Sequence, residues 1–373
     1  MMLKTEHTGV SAMYIQNLVC LSGSQKEFLD WFKQKQGLPF LCLENHIDKF
    51  RFDGIKMIPT NWDLSAADYY LKYPTGRKMK VEYKTIPCTE DDEELIEGKL
   101  TKINHAVVPP HEGTEEEELV FKIENGEGAV IAGCIVGIGN WQFAILDILW
   151  VDEKYRGQGL GSALIREAEK AAIERNCYAM LLGTFDFQAK PLYEKHGYTL
   201  CGTIKDWPKG HENYSMMKRL DQSRPAYIPK KDLSAQFEIR PGSEEDGEVI
   251  GSRLGAYNSA QVPRAHKEYI PLNKKLLDGD GNLIAAIFAG VGRWNSFEIY
   301  MMWVDEPYRN QGIGSDLLAA TECEAKGHGA YFALAEGLFD WQADFFKKNG
   351  YTAVGTWEDC PKGHRIYTLE KRF

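Results

Sequence analysis

The sequence predicts an α/β protein with mixed sheets, made of two copies of one unit behind an extra N-terminal segment. Three observations predict it. The stretch Trp150-Val151-Asp152-Glu153-Lys154-Tyr155-Arg156-Gly157-Gln158-Gly159-Leu160-Gly161-Ser162 joins an apolar run, 144–151, to a helix-like run, 163–175. A buried strand stops there, a glycine-rich turn follows, and a helix begins. A second stretch, Trp303-Val304-Asp305-Glu306-Pro307-Tyr308-Arg309-Asn310-Gln311-Gly312-Ile313-Gly314-Ser315, repeats the first 153 positions later, with its flanking strand (297–304) and helix. Strand-like and helix-like runs surround each copy over a domain-sized length, which separates this pattern from a short solenoid repeat.

The loop has a physical meaning of its own. Glycine lets backbone approach a ligand closely and adopt positive φ. The first turn of the following helix leaves N–H groups unpartnered, at the positive end of the helix dipole. That arrangement suits a phosphate.

The elements follow in order. In segment 1–79, Ser24-Gln25-Lys26-Glu27 is a capping box that opens a short helix, with Phe28, Trp31 and Phe32 on its apolar side. Residues 38–43 read as a buried strand and 61–70 as a helix start; the segment shows no functional motif. The first unit, 80–220, opens with a strand (80–86) and an amphipathic helix (91–104). The acidic run 115–118 reads as a solvated loop edge. A hairpin (120–123 and 129–137) turns at Glu124-Asn125-Gly126, and the strand 143–151 leads into the loop. A strand (180–183), a helix (189–195) and closing strands (198–204, 214–217) complete the unit, around a Pro/Gly turn at 206–211. Residues 221–235, with Pro225, Pro229 and two lysines, read as a linker. The second unit, 236–373, repeats the late features: Phe339-Asp340-Trp341-Gln342-Ala343 matches Phe185-Asp186-Phe187-Gln188-Ala189, and 359–364 matches the earlier Pro/Gly turn. Its 257–263 echoes 104–109, and 277–283 reads as an Asp/Gly turn before a hairpin.

Composition narrows the function classes. With 373 residues and a net charge of −10, the chain lacks the basic face of a nucleic-acid binder. Acidity suits a cationic partner such as an amine, and equally suits plain solubility. Eight cysteines stand singly, with no Cys-x-x-Cys pair, so no metal centre is implied and buried thiols in a reducing compartment are expected. No secretion signal and no apolar run of about 18 residues is present. The expectation is a cytoplasmic protein without nucleic-acid or membrane partners; the oligomeric state is not legible.

Arg156, Gly159 and Gly161, and again Arg309, Gly312 and Gly314, resemble the Arg/Gln-x-x-Gly-x-Gly/Ala signature of the GNAT superfamily, the general-control-related N-acetyltransferases. The resemblance covers roughly 80–220 and 236–373 and leaves out the first 75 or so residues. It implies tandem acyl-CoA N-acyltransferase folds with acetyl-CoA as cofactor. The pyrophosphate is then held by Arg156, Gly157, Gln158, Gly159, Leu160, Gly161 and Ser162, and in the second copy by Arg309, Asn310, Gln311, Gly312, Ile313, Gly314 and Ser315. Leu149, Trp150 and Val151, with Val304 as counterpart, fall where relatives pair with the pantetheine amides. Asp186 and Asp340 stand where relatives often carry an Asn that touches pantetheine; capping is the competing role, as it is for Gln188 and Gln342. His211 and His364, in Pro/Gly turns, are expected to make structural hydrogen bonds.

Acetyl transfer to an amine needs a proton acceptor for the amine and a proton donor for the departing thiolate. In this family the amine attacks directly, without an acyl-enzyme. Leu192-Tyr193-Glu194-Lys195-His196-Gly197-Tyr198 matches the family's tyrosine motif, which makes Tyr193 the candidate acid, against a packing tyrosine. Asp147 sits in the apolar strand four residues before Val151, where an unpaired carboxylate is costly. Period-two alternation groups it with Leu149 and Val151. It is the candidate base, against a buried structural Asp. The second copy has Phe346 for Tyr193 and Tyr300 for Asp147, with Glu298 nearby as a substitute base. The expectation is that copy one transfers acetyl to a primary amine, while copy two binds coenzyme A or closes the substrate site. The alternatives are a non-catalytic acyl-CoA sensor, a tandem aminoacyl-tRNA-dependent ligase, and an interaction protein. The acceptor is a small molecule, peptide or protein amine that the sequence does not name.

Overall fold

The computed structural model describes residues 69–70, 84–111, 116–222 and 227–373. The expected helix at 24–32 and strand at 38–43 lie outside the described residues. In chain order the elements are β1 (Tyr69–Tyr70), β2 (Lys84–Pro87), α1 (Glu90–Val107), β3 (Glu117–Glu124), β4 (Val130–Ile138), β5 (Phe143–Val151) and α2 (Leu160–Glu174). Then come β6 (Ala179–Phe185), α3 (Lys190–Lys195), β7 (Thr199–Lys205), β8 (Glu212–Arg219), β9 (Ile239–Pro241) and α4 (Glu244–Gln261). The chain ends with β10 (Ile270–Pro271), β11 (Lys274–Leu277), β12 (Leu283–Val291), β13 (Ser296–Val304), α5 (Ile313–Gly327), β14 (Phe332–Phe339), α6 (Asp340–Lys348), β15 (Thr352–Glu358) and β16 (Arg365–Arg372). The strand 143–151 has the bounds the sequence predicts. At 69–70 the expected helix gives way to a strand paired with β2. The described residues of the acidic run, 116–118, are exposed as expected; Glu117 also opens β3 and takes a bidentate ion pair from Arg175.

Two compact units result, and neither is continuous along the chain. One comprises the described residues up to 101, with 266–334 and 371–373; the other comprises the described residues of 102–265, with 335–370. In the first, β1, β2, β11, β12 and β13 are successive antiparallel neighbours, and β10 also pairs with β12. Ile96 of α1 is fully buried there, and Lys99 lies over the Trp303 ring, 4.4 Å from its centroid. Lys275 of β11 ties the start of α1 through Asp92, at 2.6 Å.

In the second unit the sheet order is β9-β3-β4-β5-β6-β8-β7-β15, and β16 pairs with β15. Among the described residues of this unit, only β5 and β6 run parallel. At the β7–β15 step, Gly202 faces Gly355 so closely that a Cβ on Gly202 would lie 2.2 Å from the Gly355 Cα. α2 buries Leu160, Leu164, Ile165, Ala168, Ala171 and Ala172, the apolar stripe of an amphipathic helix. Asn176 adopts a left-handed conformation, φ 61°, just past its end and stops it. On β3–β5 lies α4, opened by a capping box between Ser243 and Asp246. Its Ile250 seats on Gly133, where a Cβ would lie 2.2 Å from the Ile250 Cδ1 and 2.8 Å from the Phe121 carbonyl oxygen.

The pairings show an exchange. β2, which precedes the first glycine loop, pairs with β11 of the second repeat. β9, which precedes the second loop, pairs with β3 of the first repeat. Each repeat has handed its opening strand and helix to the other.

Candidate active site

Strand β5 carries the site. Its ladder with β4 slips between Ile135 and Val136, which pair with Ile148 and Leu146, so Asp147 is the unpaired extra residue of a bulge. The β12–β13 ladder slips at the same place and leaves Tyr300 as the extra residue. Alternation alone placed Asp147 on the face of Leu149 and Val151; the bulge is what brings Leu146 and Asp147 to the same cavity as well. The parallel pairing of β5 with β6 covers only Phe143–Ile145 against Ala179–Leu181. Beyond it β5 has no β6 partner, and a cavity of about 1130 Å³ opens. It is lined by Leu149, Trp150 and Val151 from β5, by Arg156, Gly157, Gly159, Leu160, Gly161 and Ser162 from the loop, and by Asp147 and Tyr193.

Gly159 takes φ 93° at the start of α2, with no side-chain cap. Among the described residues, the first amide of this turn with a backbone acceptor is that of Ala163, which donates to Gly159; those of Gly157 to Ser162 have none. The loop is therefore a cradle of free donors at a helix mouth, and a diphosphate fits it. The Arg156 side chain does not point its Nε to a ligand: it donates to the Val151 carbonyl at 3.0 Å, and its guanidinium lies 4.5 Å over the Tyr257 ring. Gln158 closes the preceding turn through Lys154, at 2.9 Å. The Ser162 hydroxyl meets His196 Nε2 at 3.0 Å. Burial holds that imidazole down at about 4, so it is neutral at pH 7.

Tyr193 sits on the six-residue α3, only 6% exposed, with its ring 5.8 Å from that of Tyr198. Burial first, and Cys134 second, push its phenol well above the ordinary tyrosine value, which keeps the proton on Oη. Desolvation, then Glu118, raise the Asp147 carboxyl to about 6. Its side chain opens to the cavity, so water screens part of that shift; the upward direction is the feature the chemistry uses.

Asp186 is not among the residues that line the cavity; it accepts from His211 Nδ1 at 3.0 Å, the structural bond expected of that histidine. Gln188, two residues on, is the one that lines the cavity.

Sequence reasoning missed two further walls. Tyr227, Ile228, Pro229, Lys230 and Lys231 line the cavity from the linker. Arg166 pins that strap through the Tyr227 carbonyl and Asp232, and the Leu233 amide donates to Gln158. The other wall is Leu254, Tyr257 and Asn258 of α4. The repeated motif at 257–263 marked this helix as duplicated, but held no signal of which sheet it covers.

The second loop, Arg309 to Ser315, repeats the backbone: Gly312 has φ 90°, and Arg309 Nε donates to the Val304 carbonyl at 2.9 Å. Its helix carries Asp316 where the first has Ala163. Burial raises that carboxyl to about 6, so at pH 7 it is largely an anion in the first turn, set against a diphosphate. Phe346 occupies the place of Tyr193, packed on Tyr351 at 5.3 Å. No helix among the described residues is long and apolar enough to cross a membrane.

Family models match both repeats. A family model described as acetyltransferase (GNAT) family matches residues 83–198, and one described as acetyltransferase (GNAT) domain matches 276–353. The chain is 43% identical over 96 residues to blasticidin-S acetyltransferase of Streptomyces morookaense, covering 26% of this chain and 71% of that protein. It is 30% identical over 100 residues to thialysine N-epsilon-acetyltransferase of Bos taurus, covering 24% and 59%. An acetyltransferase structure from Bacillus cereus ATCC 14579 is 34% identical and covers 36% of this chain and 95% of its own, with a TM-score of 0.34. With both repeats matched by GNAT models and a relative 43% identical of which this chain covers 71%, the chain belongs to the GNAT superfamily as a tandem, acyl-CoA-dependent acetyltransferase.

Proposed function

We propose that the first repeat moves an acetyl group from acetyl-CoA to the primary amine of a small molecule by direct attack. When bound, acetyl-CoA supplies a thioester carbonyl ready for acyl transfer. The amides of Gly157 to Ser162 hold its diphosphate, and the free edge of β5 at Leu149–Trp150 pairs with its pantetheine arm. Asp147, ionised above about pH 6, takes the proton that the amine loses as the new N–C bond forms. Tyr193 Oη holds the proton that the sulfur takes as the C–S bond breaks. The observation that carries this reading is that a carboxylate and a protonated phenol line the same cavity as the phosphate cradle.

The acceptor class rests on the relatives. Blasticidin S and thialysine, the substrates in the names of two of them, support a small amine. Turnover belongs to the first repeat, because the second has Phe346 and Tyr300 at the acid and base positions and Asp316 beside its loop.

Calorimetry with coenzyme A, followed by turnover on an amine panel that starts with blasticidin S, tests the reading. Tyr193→Phe should lower kcat by about 10²-fold with little change in the KM for acetyl-CoA. Intact turnover in Tyr193→Phe, together with its loss in a Gly312 variant, would move the chemistry to the second repeat.

A further inference from the structure

The first repeat's cleft is finished by a helix that the second repeat supplies, and one side chain on that helix has its polarity set by the protein. The Phe185 amide donates to Gln188 Oε1 at 2.9 Å, and the Thr184 hydroxyl donates to the same oxygen at 3.2 Å. An amide whose oxygen is so engaged turns its nitrogen outward, and Gln188 Nε2 donates to Asn258 Oδ1 at 2.8 Å. The bond to Gln188 fixes which way the Asn258 amide faces, with Oδ1 toward Gln188. The Nδ2 group on the other side, two N–H donors, is what it offers a ligand in the cavity it lines. The helix is held in this position: Ile250 is fully buried, and the Tyr257 hydroxyl donates to the Phe187 carbonyl at 2.9 Å.

The pseudo-symmetric position supplies a control. Asn104 of α1 stands in the same relation to Gln342: the Phe339 amide donates to Gln342 Oε1 at 3.0 Å, and Gln342 Nε2 donates to Asn104 Oδ1 at 3.3 Å. Asn104 also accepts from Trp341 Nε1 at 3.1 Å, and it does not line the cavity of the first repeat.

We propose that Asn258 is a specificity-determining residue delivered in trans between the repeats, and that it selects amines carrying a hydrogen-bond-accepting oxygen (hydroxyl, carbonyl or carboxylate) over plain polyamines. Asp147 takes the cationic end of such a molecule, and the Asn258 donors take its oxygen. The inference rests on the assignment of turnover to the first repeat.

The test uses the full chain with lysine and 1,5-diaminopentane, which differ by the carboxylate, and with blasticidin S. The wild type should favour lysine over the diamine. Asn258→Asp keeps the acceptor for Gln188 and removes both donors; Asn258→Ala removes everything. Each should raise the KM of the oxygen-bearing amine roughly tenfold, the value of one neutral hydrogen bond, with the KM for acetyl-CoA unchanged. Asn104→Ala should leave both constants alone. Equal use of lysine and the diamine by the wild type overturns the inference, and so does an unchanged acceptor KM in Asn258→Asp. A loss shared equally with Asn104→Ala overturns it too. Coenzyme A affinity, read by calorimetry on the wild type, separates the two levels: its absence sinks the catalytic assignment, while its presence beside an unchanged Asn258→Asp sinks this inference alone.

Discussion

At the residue scale, Asp147 combines two facts that usually exclude each other. It is an ionisable group in an apolar strand, and it is open to a cavity. The bulge reconciles them, because the extra residue has no ladder partner and need not follow the alternation of its neighbours. Its raised proton affinity sets a pH dependence. The acid limb of kcat/KM should have its midpoint near pH 6, and Asp147→Asn should abolish that limb while lowering the rate by about 10²-fold or more. The stability effect has the opposite sense. A carboxyl whose folded pKa is above the ordinary 3.8 favours folding while protonated, and that contribution is lost as pH rises through about 6. Asp147→Asn should therefore melt higher than the wild type at pH 8 and equally at pH 3.5, as read by thermal denaturation. A variant that melts lower at pH 8 would show the carboxylate to be structural.

At the element scale, the decisive contact is α4 on the sheet. Gly133 leaves the space into which Ile250 of α4 seats. Gly133→Ala puts a methyl group against both the Ile250 side chain and the Phe121 carbonyl, so movement of Ile250 alone does not relieve it. The expected cost is about 1–3 kcal/mol in urea unfolding. The displaced helix should also raise the acceptor KM, since Leu254, Tyr257 and Asn258 move with it. Unchanged unfolding and an unchanged KM would mean that α4 adapts without cost. The first strand–loop–helix unit and its motif tyrosine were legible because each obeys a local rule: a buried strand, positive-φ glycines, an amphipathic stripe. The partners of α1 and α4 were not legible, since periodicity tells which face of a helix is buried and says nothing about which sheet buries it.

At the scale of the whole molecule, the repeats of the sequence and the compact units of the structure do not coincide. A polypeptide of residues 80–220 contains the loop, Asp147 and Tyr193. It lacks α4, which covers β3–β5, and β9 and β15, which extend the sheet past β3 and past β7. The uncovered face includes Gly133, Ile135 and Ile148, apolar surface that water then meets. That fragment should unfold over a broad temperature range in calorimetry and show no acetyl transfer. A sharp transition with full-chain activity would mean that the exchanged helix is dispensable.

By itself, the sequence determined the class of fold, the duplication, the positive-φ glycine loop and which residues to propose as proton carriers. All of these are local: a few consecutive side chains and their backbone angles decide them. Tertiary structure alone decided that Asp186 serves His211 and that the second repeat walls the cavity of the first. Those outcomes depend on contacts between residues far apart in sequence. Two equivalent helices met two equivalent sheets, and the pairing was settled by packing that no local pattern encodes.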